Sequence, residues 1–354
     1  GSDIVVTSSQ SGRCVSLIRP ELVQDGVATK AGRIESLDVA PQQRKEFTLG
    51  YTEADFCPNA KEILLNISYE LKVKKPLLAI GHIVAEQQHI IKEYDTAAAF
   101  AMKSSERPVK VTKFEKSTQV TGYDWTIGFN REGFINQIEY GRQTIVADDS
   151  ALRPNFWRAP TENDIGAHLH ARYGVWRNPA IVLKSFDAKV EGDVAKAVAE
   201  YEMKDVEATM RITYTINGEG EIKVSQAMTT EKDAKVSGMF RYGMRVELPA
   251  AYNTLEYYGR GEVENYSDRK SCADIGHYKQ SVSEQYNEQP EKSAFESSVV
   301  RNFGAQNLAV EHPTRKYRCQ KASEWQQNIC CHKVERIEDV KSEYLEFTPH
   351  AQRE

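Results

Sequence analysis

Residues 208–228, ATMRITYTINGEGEIKVSQAM, decide the fold class of this chain. Apolar and polar side chains alternate over 208–216 and again over 221–228, which is the period of a half-buried β-strand. The four residues between these runs, NGEG at 217–220, are turn formers, and glycine supplies the positive φ that a tight hairpin needs. The stretch therefore predicts an antiparallel β-hairpin.

The same pattern recurs elsewhere in the chain. Residues 124–129 (DWTIGF) followed by the turn 130–133 (NREG) predict a second hairpin, and residues 61–71 (KEILLNISYEL) predict a further strand. Helical candidates are few, and residues 194–201 (VAKAVAEY) fit either two helical turns or an edge strand. The sequence has no alternation of strands with long helices of the kind that a TIM barrel requires. The chain is therefore predicted to be mostly β.

The strand-like runs fall into two regions. About seven short runs lie within residues 3–100, and this length, strand number and strand spacing are typical of an immunoglobulin-like sandwich. Residues 104–108 (SSERP) have the composition of an exposed linker. The rest of the chain is too long for a simple sandwich and predicts two large packed antiparallel sheets. We therefore predict an immunoglobulin-like domain at 3–103 and a large β domain at 109–354.

Composition and charge exclude several classes of function. The 354 residues contain 46 Lys and Arg against 51 Asp and Glu, a net charge of −5, and the chain lacks the basic footprint of a nucleic-acid-binding protein. The apolar stretches reach about seven residues, far below the roughly 20 that cross a bilayer. The six cysteines form no CxxC pair and are interpreted as reduced thiols. Nucleic-acid and membrane partners are therefore not expected.

Two longer motifs are more specific. They are residues 153–166 (RPNFWRAPTENDIG) and residues 258–279 (YGRGEVENYSDRKSCADIGHYK). Both resemble patterns, FxRAPxxNDIG and GxGPxENYPDR, of the terminal supersandwich domain of glycoside hydrolase family 2 β-galactosidases, and they occur in the same order. Residues 22–26 (LVQDG), 37–49 (LDVAPQQRKEFTL) and 81–88 (GHIVAEQQ) similarly resemble the immunoglobulin-like domain that precedes it in those enzymes.

The resemblance implies a fold and a parent activity. The expected fold is all-β, an immunoglobulin-like β-sandwich followed by a large antiparallel supersandwich of the galactose mutarotase-like type. The chain would be a C-terminal part of a retaining enzyme that removes terminal β-galactosides. Such enzymes carry both catalytic glutamates on a TIM barrel, so no catalytic residue is expected in this chain. The dipeptide NE at 287–288 is rejected as an acid/base motif because no barrel strand precedes it.

The resemblance also implies cofactors, partners and a compartment. The magnesium and sodium ligands of these enzymes lie mainly on the barrel, so no cofactor is expected here. The full-length enzyme would be a homo-oligomer that binds its galactoside through the barrel, in the cytoplasm or periplasm of a bacterium. The expected role of this chain is to support the barrel and shape the rim of its pocket.

Two other functions are weighed against this role. The first is an autonomous carbohydrate-binding module. The second is a free-standing sugar epimerase on the related fold, which would need a histidine acid and a carboxylate base, and no stretch matches the motifs of that family.

Candidate sugar-binding residues lie in the first motif. Trp157 can stack on the apolar face of a pyranose, and Arg158, Asn163 and Asp164 can form hydrogen bonds with its hydroxyl groups. The alternative places Trp157 in a core or interface and explains the polar residues by Asx-turn bonds and an Arg–carboxylate pair. The resemblance adds Arg301, which matches an arginine of the rim loop in the family, without the stacking tryptophan beside it.

Further candidates are interpreted as structural. Four polar residues of the second motif are expected to tie loops together or to face the barrel domain: Arg260, Glu264, Asn265 and Asp268. His168 and His170 lie two residues apart, which places them on one face of a strand but not of a helix. A metal site needs more ligands than these two, so no metal site is predicted.

Overall fold

The structure is a computed structural model. It describes residues 3–7, 16–35, 39–40, 43–95, 101–147, 150–261, 270–282, 304–312, 315–321 and 340–350. The chain divides into two compact units, residues 1–99 and 100–354. Every strand pairing in the described residues is antiparallel, and the predicted all-β fold is confirmed.

The first unit contains six described strands in two sheets. They are β1 (Asp3–Thr7), β2 (Ser16–Gln24), β3 (Val27–Ala31), β4 (Arg44–Thr48), β5 (Ile63–Leu71) and β6 (Ile83–Lys92). A four-stranded sheet has the order β3-β2-β5-β6, and β1 pairs with β4. One 3₁₀ turn, Glu53–Asp55, lies between β4 and β5.

The core of the first unit lies on one face of the four-stranded sheet. Alternate residues of β2 and β5 point into it, among them Ile18, Leu22 and Leu65. Residues from the connections cover this face, including Leu49 and Tyr51. Leu17 and Leu64, which point to the opposite face, are buried as well, so both faces of the sheet are covered along β2 and β5.

The second unit contains sixteen described strands. The first eight are β7 (Lys110–Lys113), β8 (Thr118–Thr121), β9 (Trp125–Phe129), β10 (Ile135–Tyr140), β11 (Gln143–Thr144), β12 (Arg153–Asn155), β13 (Val182–Glu191) and β14 (Val194–Met203). The others are β15 (Ala208–Asn217), β16 (Ile222–Thr230), β17 (Gly243–Arg245), β18 (Thr254–Arg260), β19 (Ile275–Ser281), β20 (Gly304–His312), β21 (Arg315–Lys321) and β22 (Val340–His350).

These strands form a large sheet and a smaller one, with one separate strand pair. The large sheet has nine strands in the order β13-β14-β15-β16-β22-β21-β20-β18-β19, and the smaller one has the order β11-β10-β9-β8-β7. Strands β12 and β17 pair with each other. Aromatic side chains connect the two sheets: Phe129 of β9 lies 5.1 Å from Tyr214 of β15, and Phe134 stacks on Tyr201 of β14. The two sheets therefore share one core.

Helical structure in the described residues is short. The α-helices are Glu162–Gly166 and Leu169–Arg172, and the 3₁₀ turns of the second unit are Gly174–Arg177, Lys204–Val206 and Lys270–Cys272. Within the part of the chain that is described, no helix is both long enough and apolar enough to cross a membrane.

Both predicted hairpins are confirmed. Strands β15 and β16 pair around the turn 217–220, and β9 and β10 pair around the turn 130–133. An asparagine organises each turn. The Oδ1 atom of Asn217 accepts hydrogen bonds from the backbone N–H of Glu219 and Glu221, and Asn130 does the same for Glu132 and Phe134.

Residues 194–201 are neither helical nor at an edge. They belong to β14, which lies between β13 and β15 in the large sheet. Three alanines, Ala195, Ala197 and Ala199, are buried on its inner face, and Ala197 lies opposite Tyr214 of β15. The helix alternative was wrong because the period-2 pattern, and not the helix propensity of alanine, decides the structure of a buried segment.

The segment at 104–108 is attached to the second unit. Ser104 Oγ donates a hydrogen bond to Asp193 at 2.8 Å, and Ser105 Oγ donates one to Glu219 at 3.0 Å. These bonds join the segment to the turns after β13 and β15. Hydrogen bonds from Ser104 and Ser105 lower the pKa of Asp193 below its ordinary value. Composition predicted an exposed linker, and four of the five residues are exposed, while Ser105 is buried.

Candidate functional site

The first motif begins on a strand that is fixed to the core. Strand β12 pairs with β17, and Phe156 follows it as a fully buried residue. The Phe156 ring packs against Trp176 at 5.4 Å and against Tyr242 at 5.7 Å. The indole N–H of Trp176 donates to the carbonyl of Ser237 at 3.0 Å. The loop that follows Phe156 therefore begins at a rigid position.

Trp157 and Arg158 both pack on the ring of Phe240. The Trp157 ring meets it edge to face with centroids 4.9 Å apart, and the Arg158 guanidinium carbon lies 4.7 Å from its centroid. Tyr173 contacts the same ring at 5.1 Å. Trp157 is partly buried against the core of the second unit. This is the core role that the sequence analysis gave as the alternative to sugar stacking.

Arg158 and Asp164 form an ion pair that is almost closed to solvent. Nη1 of Arg158 donates to Oδ2 of Asp164 at 2.6 Å, and Nη2 lies 3.4 Å from Oδ1. Their side chains are 9% and 10% exposed. Nη1 also donates to the carbonyl of Ala159 at 3.0 Å. The predicted Arg–carboxylate pair is confirmed.

Asp164 also caps a helix. Thr161 precedes the helix Glu162–Gly166 and its Oγ1 accepts a hydrogen bond from the backbone N–H of Asp164, while Oδ2 of Asp164 accepts from the N–H of Thr161 at 2.7 Å. This reciprocal arrangement is a capping box. Sequence reasoning missed Thr161, although the spacing Thr-x-x-Asp ahead of an isoleucine is the known signature of such a box.

The charge state of Asp164 follows from these contacts. Burial alone would raise the pKa of its carboxyl group, but the hydrogen bonds from Arg158 and Thr161 outweigh burial and hold the pKa below its ordinary value. The group is therefore an ionised carboxylate at neutral pH. A general acid of a glycosidase needs the opposite, a raised pKa.

The outer side of the same helix is open. Glu162, Asn163 and Ile165 are exposed, and Ile165 shows 52% of its surface. Asn163 and Asp164 are neighbours in the sequence but face different surroundings. Of the predicted sugar-binding residues, Asn163 lies on the exposed surface of this helix. Arg158 and Asp164 pair on its inner side, and Trp157 shares the ring of Phe240 with Arg158.

The two histidines lie at the start of the next helix. His168 precedes Leu169–Arg172 with a left-handed backbone (φ 56°), His170 lies within the helix, and their rings are 6.3 Å apart. Both are exposed. Among the described residues there is no cluster of three or more His, Cys, Asp or Glu side chains that would hold a metal ion.

Of the second motif only part is described. Arg260 ends strand β18, and its Nη1 donates to the carbonyl of Ala273 at 2.9 Å, while the backbone N–H of Gly261 donates to Asp274. Arg260 thus connects β18 to the chain that precedes β19. The remaining predicted residues lie outside the described part of the chain: Glu264, Asn265, Asp268 and Arg301.

Two protein families match the two units. The family described as beta-galactosidase, domain 4, matches residues 16–92, and the beta galactosidase small chain matches residues 121–293. The first match covers β2 to β6. The second covers both hairpins of the second unit and both motifs.

Individual relatives agree with this match. A β-galactosidase of Priestia megaterium is 32% identical over 252 residues, which are 70% of this chain and 24% of that protein. The Clostridium acetobutylicum β-galactosidase is 30% identical over 262 residues, which are 72% of this chain and 28% of that protein. That of Pseudoalteromonas haloplanktis is 25% identical over 75% of this chain. The chain thus spans about a quarter of the length of these relatives, and it belongs to the β-galactosidase family, of which it carries domain 4 and the small-chain domain.

Proposed function

We propose that this chain is a non-catalytic C-terminal part of a β-galactosidase, which supports the catalytic barrel and shapes the rim of its substrate pocket. The observation that carries this proposal is the two-sided helix Glu162–Gly166. Its inner side is closed by the Arg158–Asp164 ion pair and the Thr161 cap. Its outer side presents Asn163 and Ile165 to solvent.

The inner side is built for stability. A retaining glycosidase needs one carboxylate as nucleophile and a second, about 5–5.5 Å away, as acid and base. Asp164 accepts hydrogen bonds from Arg158 and Thr161 and its pKa is lowered, so it is unsuited to protonate a leaving group. In this proposal the catalytic glutamates, the galactoside contacts of the barrel and any magnesium or sodium ligands belong to other parts of the enzyme.

The outer side is suited to an interface. An isoleucine with half of its surface exposed, next to the exposed polar side chains of Glu162 and Asn163, has the mixed character of a contact between domains. The buried ion pair holds this surface in one orientation. In the proposed whole enzyme, which we expect to be a homo-oligomer, this surface would face the barrel.

The first test is an activity measurement on the chain itself. We expect no hydrolysis of a chromogenic β-galactoside above a mock purification, because loss of a catalytic carboxylate pair removes many orders of magnitude of rate. Titration calorimetry with galactose and lactose should show no heat. Activity that follows the chain through gel filtration would contradict the proposal. Millimolar galactose binding that is lost in Asn163→Ala would favour a carbohydrate-binding module instead.

The second test examines barrel support in the whole enzyme that contains this chain. Ile165→Asp should lower both its thermal stability and its activity, while the melting temperature of the isolated chain stays unchanged. Val190→Asp is the matched control, because Val190 is 46% exposed on the edge strand β13 of the large sheet. If Ile165→Asp and Val190→Asp lowered stability and activity equally, or if neither variant changed them, the assignment of this surface to the barrel would be contradicted.

A further inference from the structure

The turn between β15 and β16 contains a chemically reactive pair of residues. Asn217 is followed by Gly218, and this is the one Asn–Gly pair in the sequence. In such a pair the backbone nitrogen of glycine attacks the side-chain carbonyl carbon of asparagine, because no Cβ hinders its approach. A five-membered succinimide forms, and the amide nitrogen leaves as ammonia with the proton of the glycine N–H. Water then opens the ring to aspartate or isoaspartate.

The folded turn restrains the amide of Asn217. Its side chain is fully buried, and Oδ1 accepts hydrogen bonds from the backbone N–H of Glu219 and Glu221. Nδ2, the nitrogen that has to leave, donates to the carbonyl of Lys103 at 3.0 Å and to Oε2 of Glu221 at 2.6 Å. Ring closure rotates the amide and expels Nδ2, so these bonds have to break first. The closed turn should therefore react slowly.

The segment 104–108 covers the same turn. A Cβ at Gly218 would lie 2.1 Å from the carbonyl oxygen of Arg107, so this carbonyl fills the space beside the attacking residue. Ser105 Oγ donates to Glu219 at 3.0 Å, and Arg107 forms an ion pair with Glu219 at 3.1 Å. The segment therefore has to move before Gly218 reaches the geometry of the ring.

The segment can open while the sheet stays folded. The side chains of Arg107 and Glu219 are 48% and 46% exposed, and exposed ion pairs stabilise little. Strands β15 and β16, in contrast, pair at nine positions. Local opening of an exposed segment costs less free energy than global unfolding. Because Lys103 directly precedes the segment, opening also withdraws one acceptor from Asn217.

The product of the reaction does not fit the place of Asn217. Aspartate has an acceptor oxygen where the amide has a donor, and this oxygen would face the carboxylate of Glu221 and the carbonyl of Lys103. Two carboxylates this close in a buried site repel each other, and neither has a donor in place of Nδ2. Isoaspartate also inserts a methylene group into the main chain of the turn. The converted turn therefore no longer holds the segment.

We propose that Asn217–Gly218 is a site of spontaneous deamidation that the segment 104–108 gates. While the segment is closed, the amide is held and the reaction is slow. When the segment opens, Gly218 closes the ring, and the aspartate or isoaspartate that follows prevents the segment from closing again. The modification is a one-way release of the segment.

The first experiment measures the modification in the intact chain. The chain is incubated in mildly alkaline buffer, and mass spectrometry of the peptide around residue 217 detects the conversion of amide to acid. Ser105→Ala removes the bonds of this hydroxyl group to Glu219 and to the N–H of Arg107, and it leaves the four bonds of Asn217 in place. We expect deamidation at least about fivefold faster than in the wild type, since each lost hydrogen bond favours opening.

Two controls separate gating from other effects. Lys113→Ala removes a side-chain bond to Asp187 away from the turn and should react like the wild type. Asn130 accepts the same two turn bonds in the other hairpin but is followed by Arg131, so it should stay unmodified in every sample. All incubations are kept well below the melting temperature. Equal rates in Ser105→Ala and wild type, or a folded wild type that reacts as fast as the chain in urea, would overturn the gating.

The second experiment tests the release of the segment. Limited proteolysis should cut residues 104–108 at least about tenfold faster in Asn217→Asp than in the wild type. Asn130→Asp is the matched control, because its carboxylate accepts the same turn bonds and should leave the cutting rate unchanged. If Asn217→Asp does not fold, deamidated wild type separated by ion exchange takes its place. A segment that stays protected in the converted chain would show that the proposal is wrong.

Discussion

Replacement of Asp164 by alanine should lower the free energy of unfolding of the second unit by about 2–3 kcal/mol. The substitution removes the carboxylate that pairs with Arg158 and closes the capping box at Thr161. It leaves the guanidinium, which is 9% exposed, without its counter-charge. For a unit of this size each kcal/mol corresponds to roughly 2–4 °C in melting temperature, so calorimetry measures the loss directly.

The neighbouring residue is the matched control. Asn163 lies on the same helix but is exposed, and Asn163→Ala should change stability by no more than about 0.5 kcal/mol. If Asp164 were a sugar ligand without a structural role, Asp164→Ala would melt at the wild-type temperature and lose affinity for galactose. That result would contradict the structural assignment of the first motif.

The contribution of Asp164 should depend on pH. Its pKa is lowered in the folded chain, so the ionised group stabilises the fold above the ordinary aspartate pKa of about 3.9. This stability is lost as the pH falls through the lower folded value. The difference between wild type and Asp164→Ala should thus be constant near neutral pH and shrink below about pH 4. A difference that grows on acidification would contradict the ion pair.

The sequence predicted the local contacts of this site but not the distant ones. The ion pair between Arg158 and Asp164 follows from their residue types and close spacing, but the packing of Phe240 against Trp157 and Arg158 does not. Phe240 lies about eighty residues further along the chain and reaches Trp157 and Arg158 because Phe156 and Tyr242 pack together beside the β12–β17 pair. Contacts between distant segments leave no local pattern, so sequence reasoning cannot find them.

For the fold, the sequence predicted hairpins correctly where turn-forming residues lie between two alternating runs. The hairpins at 130–133 and 217–220 were found because asparagine and glycine specify the turn and the flanking runs alternate. Residues 194–201 were ambiguous because alanine suits a helix, while the buried face of β14 needs small side chains opposite Tyr214. Packing against a neighbouring strand decided the structure, and that neighbour lies beyond the segment itself.

The largest stability effect at a turn is expected for Asn217→Ala. The Asn217 side chain is fully buried and makes four hydrogen bonds. Its Oδ1 accepts from the turn backbone, and its Nδ2 donates to the carbonyl of Lys103 at 3.0 Å and to Oε2 of the buried Glu221 at 2.6 Å. Removing it deprives a buried carboxylate of a donor and releases the segment before β7. We expect a loss of about 3 kcal/mol.

Two further variants show whether this loss comes from the attached segment. Asn130 accepts the same pair of turn bonds in the other hairpin and is only partly buried, so Asn130→Ala should cost about 1 kcal/mol. A methyl group added at Gly218 would lie 2.1 Å from the carbonyl oxygen of Arg107, so Gly218→Ala should displace the segment while the side chain of Asn217 and its bonds within the turn remain. Limited proteolysis should therefore cut residues 104–108 faster in Asn217→Ala and Gly218→Ala than in Asn130→Ala. Equal cutting of all three would mean that the segment is held independently of the β15–β16 turn, and the extra cost at Asn217 would then belong to Glu221 alone.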